Sequence, residues 1–196
     1  MASELLNRRH WIFDLDGTLT VAVHDFAALR DELGMHPSAP ILQTLRDMPL
    51  AESEPLRMRV HDWEQEHALQ ARAEPDAVAL LEHLALSARK LALLTRNTRV
   101  TADRTLAIAG IEHFFPPDLR LGRGDADPKP SPAGVLRILE AWGADPSDAV
   151  MVGDYEHDLI AGNEAGVATV WIDRTGKFDF RSLADVTVQR LDELLD

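Results

Sequence analysis

The stretch Trp11-Ile12-Phe13-Asp14-Leu15-Asp16-Gly17-Thr18-Leu19-Thr20 decides the fold. It opens as a short apolar run of strand character. It then presents two carboxylates two residues apart, followed at once by Gly17-Thr18. Along a strand, residues i and i+2 share a side. Asp14 and Asp16 are therefore expected to face one point just past the strand's carboxyl end, provided the chain does not bend there. Anions held that close repel each other unless a cation or a proton stands between them. The pattern suggests a divalent metal at this point, with one of the two aspartates attacking phosphorus.

Working outward, His10–Phe13 reads as the first strand and Met1 to Arg9 as a lead-in. From Val21 to about Ala73 the character is helical, with helical spacing over 26–35, 40–48 and 54–71, punctuated by Pro37, Pro40, Pro49 and Pro55. Pro75 opens a further helix over 76–86. Strand and helix then alternate. Strands are expected at 90–95, 118–121, 149–152 and 167–172. Helices are expected at 100–109, stopped by Gly110; from Pro132 to Trp142, capped by Ser131 and ended by Gly143; at Glu156–Ala165, ended by Gly166; and at 188–195. This alternation argues for an α/β fold built of βαβ units: a Rossmann-like parallel sheet with helices on both faces and a small inserted helical bundle. In such sheets ligands lie beyond the carboxyl ends of the strands.

Bulk composition narrows the function. The chain has 196 residues and no cysteine, which removes disulfides, thiolate metal sites and a cysteine nucleophile. Twenty Lys and Arg against 33 Asp and Glu leave a formal charge of −13, which disfavours broad nucleic-acid binding. No apolar run is long enough to span a bilayer, and the expectation is a cytoplasmic protein, monomeric or homodimeric. An anionic substrate would need a metal and local cations to reverse the field at the site.

The unusual polar residues cluster at strand ends. Asp14 and Asp16 follow the first strand, Thr95-Arg96-Asn97 the second, and Gly153-Asp154 with Asp158 the strand over 149–152. Lys129 lies in the loop before the Pro132 helix. Together these residue types suit phosphoryl transfer, which needs a nucleophile, charge neutralisation, oriented donors and a proton donor for the leaving oxygen. Asp14 suits the nucleophile, giving an aspartyl-phosphate. Asp16 suits the general acid and then the base that activates water. Thr95 and Asn97 offer donors to phosphate oxygens, and Lys129 a point charge for both phosphate and Asp14. Asp154 and Asp158 fall one helical turn apart and could hold a metal directly or through water. Such hard oxygen donors suit Mg²⁺. Each cluster alone also fits ordinary turn and capping chemistry; order and placement together favour a site.

With these motifs in hand (Asp14-Leu15-Asp16-Gly17-Thr18-Leu19, Leu94-Thr95-Arg96-Asn97, Lys129-Pro130-Ser131-Pro132, and Gly153-Asp154 through Asp158) the chain resembles the haloacid-dehalogenase-like hydrolase superfamily. The likeness is to its small-cap phosphatases, and phosphoglycolate phosphatases look most similar. The resemblance implies a core of residues 1–20 and 88–196 and a cap over 21–87. It also implies a Mg²⁺-dependent phosphomonoesterase acting on a small phosphate ester through a phosphoenzyme on Asp14. The metal would be held by Asp14, the Asp16 carbonyl and Asp154, with Asp158 supporting. Dehalogenases of this fold lack the second aspartate, so Asp16 argues against that chemistry. Phosphomutases share both aspartates and stay open as an alternative, as does a non-catalytic ligand-binding or scaffold protein on the same fold.

Substrate choice is expected to fall to the insertion. Its cationic candidates are His24, Arg30, His36, Arg46, Arg57, Arg59, His61, His67 and Arg72. Arg96 could meet a substrate carboxylate bidentately, and His157 lies between the two acids of the fourth motif. Each of these also suits a solvated surface position, and Trp63 and Trp142 read as packing residues.

Overall fold

A computed structural model describes residues 2–23, 25–177 and 179–195. His24, one of the candidate cations, lies outside them. Among the described residues, six strands form one parallel sheet: β1 (His10–Phe13), β2 (Lys90–Thr98), β3 (Arg120–Arg123), β4 (Ala149–Gly153), β5 (Ala168–Ile172) and β6 (Val186–Val188). Their order is β3-β2-β1-β4-β5-β6. His10 is level with Lys90 on one side and with Ala149 on the other. The chain thus steps outward from β1 to β3, then returns to the opposite side of β1 with β4. The order reverses at the β1/β4 junction, where open α/β sheets form their ligand crevice.

Side-chain alternation along each strand builds two cores. Trp11, Phe13, Leu91, Leu93, Val150 and Val152 face α5 (Pro75–Leu86), α6 (Arg99–Ala109) and the C-terminal Leu191 and Leu194. Ile12, Ala92, Leu94, Ala149 and Met151 face α7 (Ala133–Trp142) and α8 (Glu156–Ala165). A short α1 (Ala2–Leu5) precedes the sheet. The helices α2 (Phe26–Glu32), α3 (Ile41–Asp47) and α4 (Leu50–Ala68) bury a separate cluster of Leu29, Leu33, Ile41, Leu45, Val60 and Trp63. Helix α5 instead gives Ala77, Leu80, Leu81 and Leu84 to the sheet.

The insertion leaves and returns at one joint. Leu19 accepts from the amide of Glu74 at 2.9 Å, Val21 donates to Arg72 at 3.0 Å, and Thr20 pairs antiparallel with Ala73.

Several elements differ from expectation. Helix α4 starts at Leu50 rather than at 54 and ends at Ala68 rather than at 71, with Pro55 inside it. A proline in the second turn costs one backbone bond there without stopping a helix whose face is buried against α2 and α3. β2 continues to Thr98, so Thr95-Arg96-Asn97 lies on the strand rather than past it. β3 is shifted to Arg120–Arg123 because Pro117–Leu119 forms a 3-10 turn. Helix α7 starts at Ala133, so Pro132 rather than Ser131 stands at the cap position, and the Ser131 hydroxyl accepts from Ala133 N–H at 3.3 Å. The expected terminal helix over 188–195 is instead β6 followed by a 3-10 turn, Leu191–Leu195. The β-branched Val186-Thr187-Val188 pairs with β5, and Leu191 and Leu194 keep an i, i+3 spacing that either helix type buries. Among the described residues no helix is long and apolar enough to cross a membrane.

Candidate active site

β1 ends where the Asp14 amide bonds the Val152 carbonyl at 2.9 Å. The chain then turns tightly: Leu19 N–H returns to Leu15 O at 2.9 Å and Gly17 N–H to Thr20 O at 2.9 Å. Gly17 sits at φ +81°, and a Cβ there would stand 2.3 Å from the Asp154 carboxylate. Only glycine meets both demands without strain. Gly153 has the same spatial constraint, since a Cβ would meet the Asp158 side chain at 2.2 Å. The two glycines let Asp154 and Asp158 close on β1.

Lys129 reaches this point from the loop before α7. Its buried ammonium donates to Asp14 Oδ1 at 2.5 Å and to the Leu94 carbonyl at 2.7 Å, and pairs with Asp158 Oδ1 at 2.6 Å. All three of its protons are thereby engaged. Burial alone would pull Lys129 down, but Asp14 and Asp158 outweigh it and hold it at about 12. Asp158 Oδ2 accepts from Tyr155 N–H at 3.1 Å, so both its oxygens have donors. Asp16 turns elsewhere and accepts from Asn97 Nδ2 at 2.7 Å. Thr95 is buried, and its hydroxyl accepts from Asn97 N–H at 3.2 Å.

The carboxylates are unevenly neutralised. Burial, with Asp158 adding, pushes Asp14 up to about 6 against the pull of Lys129. Burial and the charge of Asp14 push Asp16 up to about 7. Burial, Asp14 and Asp158 push Asp154 up to about 8. The Asp154 carboxylate accepts a long bond, 3.4 Å, from the Thr18 hydroxyl. One oxygen each from Asp14, Asp154 and Asp158 lie within 4.8 Å of one another. A buried all-oxygen donor set short of positive charge fits a hard divalent cation.

The structure thus gathers Asp14, Asp16, Thr95, Asn97, Lys129, Asp154 and Asp158 at the sheet's reversal point. Arg96 goes another way, with its Nη1 2.8 Å from His157 Nδ1. The described cations of the insertion are mostly tied up locally. Arg30 bonds Phe26 O and Ala39 O, Arg57 bonds Leu45 O, His36 bonds Ser38, and Arg59 pairs with Glu32. His67 bonds Trp63 O, yet it also lines a cavity of about 10 Å³ with Asp16, Glu64 and Asn97. Trp63 and Trp142 pack, the latter against His10 at 5.1 Å.

Two contacts escaped the sequence. Arg123, at the end of β3, forks onto Glu64 of α4 at 2.9 and 3.0 Å, joining core to insertion. Arg174, just past β5, donates to Gly17 O at 3.3 Å, Thr18 O at 3.1 Å and the buried Asp76 at 3.0 Å. The only advance signal for either was a strand-end position.

Residues 11–172 match the haloacid dehalogenase-like hydrolase family. A haloacid dehalogenase-like hydrolase domain-containing protein of Arabidopsis thaliana is 31% identical over 179 residues, 85% of this chain and 71% of that one. A phosphoglycolate phosphatase of Aquifex aeolicus is 30% identical over 177 residues, 81% of each. The crystal structure of a hydrolase from Pseudomonas syringae superposes with a TM-score of 0.76 at 24% identity, over 96% of both chains. A doubly wound parallel sheet with acidic residues at its reversal point defines an α/β protein with a candidate cation site in the sheet's ligand crevice. This chain belongs to the haloacid dehalogenase-like hydrolase family.

Proposed function

We propose that this protein is a Mg²⁺-dependent phosphatase that hydrolyses a small organic phosphomonoester through a phosphoaspartate on Asp14. The observation that carries this is the unequal treatment of the two motif aspartates. Asp14 is clamped by the Lys129 ammonium at 2.5 Å, whereas Asp16 has an amide partner and is pushed up by burial to about 7. The first environment suits a nucleophile and the second a proton carrier near neutral pH. The phosphoglycolate phosphatase among the relatives supports the same class.

Thr95 and Asn97 donate to the phosphoryl oxygens, and Lys129, its protons held by Asp14, Leu94 O and Asp158, offers them its positive charge. An Asp14 oxygen attacks phosphorus, the bond from phosphorus to the ester oxygen breaks, and Asp16 gives its proton to that leaving oxygen. Asp16, now a carboxylate, takes a proton from water. The water oxygen attacks phosphorus and expels the Asp14 carboxylate with release of orthophosphate. Asp14, Asp154 and the Asp16 carbonyl would hold Mg²⁺, with Asp158 keeping Lys129 in place behind them. When bound, the ion neutralises the crowded carboxylates and screens the approach of one anion to another. Within residues 21–87, the helices α2 to α4 act as the cap that closes the site. Helix α5 stays with the sheet, so the moving part ends near Arg72.

The test is release of orthophosphate from p-nitrophenyl phosphate and a panel of metabolite esters with Mg²⁺. Activity should vanish with EDTA and in Asp14→Asn. Isomerised sugar phosphate with little free phosphate would favour a mutase, and no turnover across the panel would refute the reading.

A further inference from the structure

Arg174 stands just past β5 on backbone that is fixed on both sides. Asp173 N–H bonds Val188 O at 2.8 Å. The buried Asp173 carboxylate gathers the turn that follows, accepting from Thr175 N–H at 3.1 Å, the Thr175 hydroxyl at 2.7 Å and Gly176 N–H at 3.0 Å. From this base the guanidinium reaches past β4 to the turn after β1. Its Nε donates to Gly17 O at 3.3 Å and its Nη2 to Thr18 O at 3.1 Å. Its Nη1 is shared between the two oxygens of Asp76 at 3.0 and 3.2 Å, and Glu74 Oε1 stands 3.6 Å from Nε. Asp76 is buried and also accepts from Leu191 N–H at 2.7 Å. One guanidinium against two carboxylates leaves no surplus positive charge. Arg174 therefore acts on the turn through the fixed plane of its donors rather than through its charge.

That turn adjoins the acidic centre. Leu15 O and Thr20 O take backbone donors within it, and Leu19 O takes Glu74 N–H. Arg174 supplies the donors for Gly17 O and Thr18 O, so carbonyls on both sides of Asp16 are pinned. The pinned residues lie directly against Asp154. The hydroxyl of the buried Thr18 donates to Asp154 Oδ1 at 3.4 Å, and a Cβ on Gly17 would stand 2.3 Å from Asp154 Oδ2. The turn cannot shift without moving Asp154. Mg²⁺ demands near-octahedral oxygens at about 2.0–2.1 Å, whereas Ca²⁺ accepts looser sets at about 2.3–2.6 Å. Groups behind the ligands set how far a donor set can spread.

We propose that Arg174 is a positioning residue that makes the cation site selective for a small hard ion. By pinning the Gly17 and Thr18 carbonyls it holds the turn, and Asp154 with it, against the spread that Ca²⁺ needs. This rests on the reading of Asp14, Asp154 and the Asp16 carbonyl as Mg²⁺ ligands.

The experiment titrates the full chain with MgCl₂ and with CaCl₂ by calorimetry, without substrate, in the wild type, Arg174→Met, Arg174→Lys and Arg120→Met. Arg120 is a matched control at the start of β3, equally tied to a carboxylate and to carbonyls: Asp103 at 3.0 Å, Phe115 O at 2.9 Å and Glu112 O at 3.0 Å. Arg174→Met should weaken Mg²⁺ binding by about 10-fold or more and Ca²⁺ binding by less than about 3-fold, so the ratio of the two affinities falls. Arg174→Lys should resemble Arg174→Met, because it returns the charge without the fork. Arg120→Met should leave the ratio unchanged even where it lowers the melting temperature. Arg174→Met combined with Asp76→Asn repeats the comparison without a stranded buried carboxylate, so that a loss of folding in the single variant still leaves a reading. Equal losses for both ions in the Arg174 variants would overturn the proposal. So would full recovery of the ratio in Arg174→Lys, or the same fall in Arg120→Met. A wild type that binds no Mg²⁺ would remove the metal reading and this inference with it. A fall in the ratio beside no phosphate release from the ester panel would uphold the inference and refute the catalytic reading alone.

Discussion

Replacing Lys129 by methionine would leave Asp14 and Asp158 without the ammonium that lies between them, at 2.5 and 2.6 Å. Breaking a buried pair on one side strands the remaining charge, so Lys129→Met should lower stability by about 3–5 kcal/mol. Chemical denaturation in EDTA measures this. Adding Asp158→Asn to that variant should recover part of the loss, a non-additivity expected of residues in one network. A second residue gives a pH signature. Burial holds His10 below its ordinary value, against the opposing bond to Asp148. The fold therefore favours the neutral ring, and the stability His10 contributes is present above the unfolded value near 6.5 and is lost as pH falls below it. The stability difference between wild type and His10→Gln should shrink from pH 7.5 to pH 5.5 in urea titrations. At this scale much was readable. Asp14, Asp16, Lys129, Asp154 and Asp158 stand at strand ends or in a preceding loop, and period and strand order suffice to bring them together. The course of Arg96 toward His157 was not readable, because it depends on how far β2 extends and on how α8 is set against it.

Among the elements, the turn after β1 owes its shape to a residue far along the chain. Arg174 ties the Gly17 and Thr18 carbonyls to Asp76 at the start of α5, and Asp76 also accepts from Leu191 N–H at 2.7 Å. Arg174→Met should cost about 2–3 kcal/mol by leaving buried Asp76 without its cation. Because Thr18 faces Asp154, the same change should weaken divalent-cation affinity, which calorimetry can read. Strands β1, β2, β4 and β5 and the helices α5 to α8 followed from apolar periodicity, with terminal glycines marking the ends of α6, α7 and α8. The insertion was legible as helical but not in detail, since Pro55 reads as a break and only burial of α4 against α2 and α3 keeps the helix whole. The C-terminal β6 was missed for a related reason. Three β-branched-rich residues form a strand only because the β5 edge is there to pair with them.

On the scale of the molecule, net charge −13 and a site of four aspartates against one lysine set the response to cations. A ligand bound only by the folded state at 100 times its Kd adds about 2.7 kcal/mol. Millimolar Mg²⁺ should therefore raise Tm by several degrees in the wild type and hardly at all in Asp154→Asn. Sodium chloride at equal ionic strength should not reproduce the shift.

The joint at Leu19–Thr20 and Ala73–Glu74 has a consequence for how such a chain can change over time. Both crossings lie side by side in one short antiparallel ladder, and the helices between them carry their own apolar cluster. Segments attached at one doorway can be lengthened, shortened or exchanged without altering the register of the sheet. Recognition and chemistry can therefore be inherited separately. A new lid can be tried on an unchanged engine.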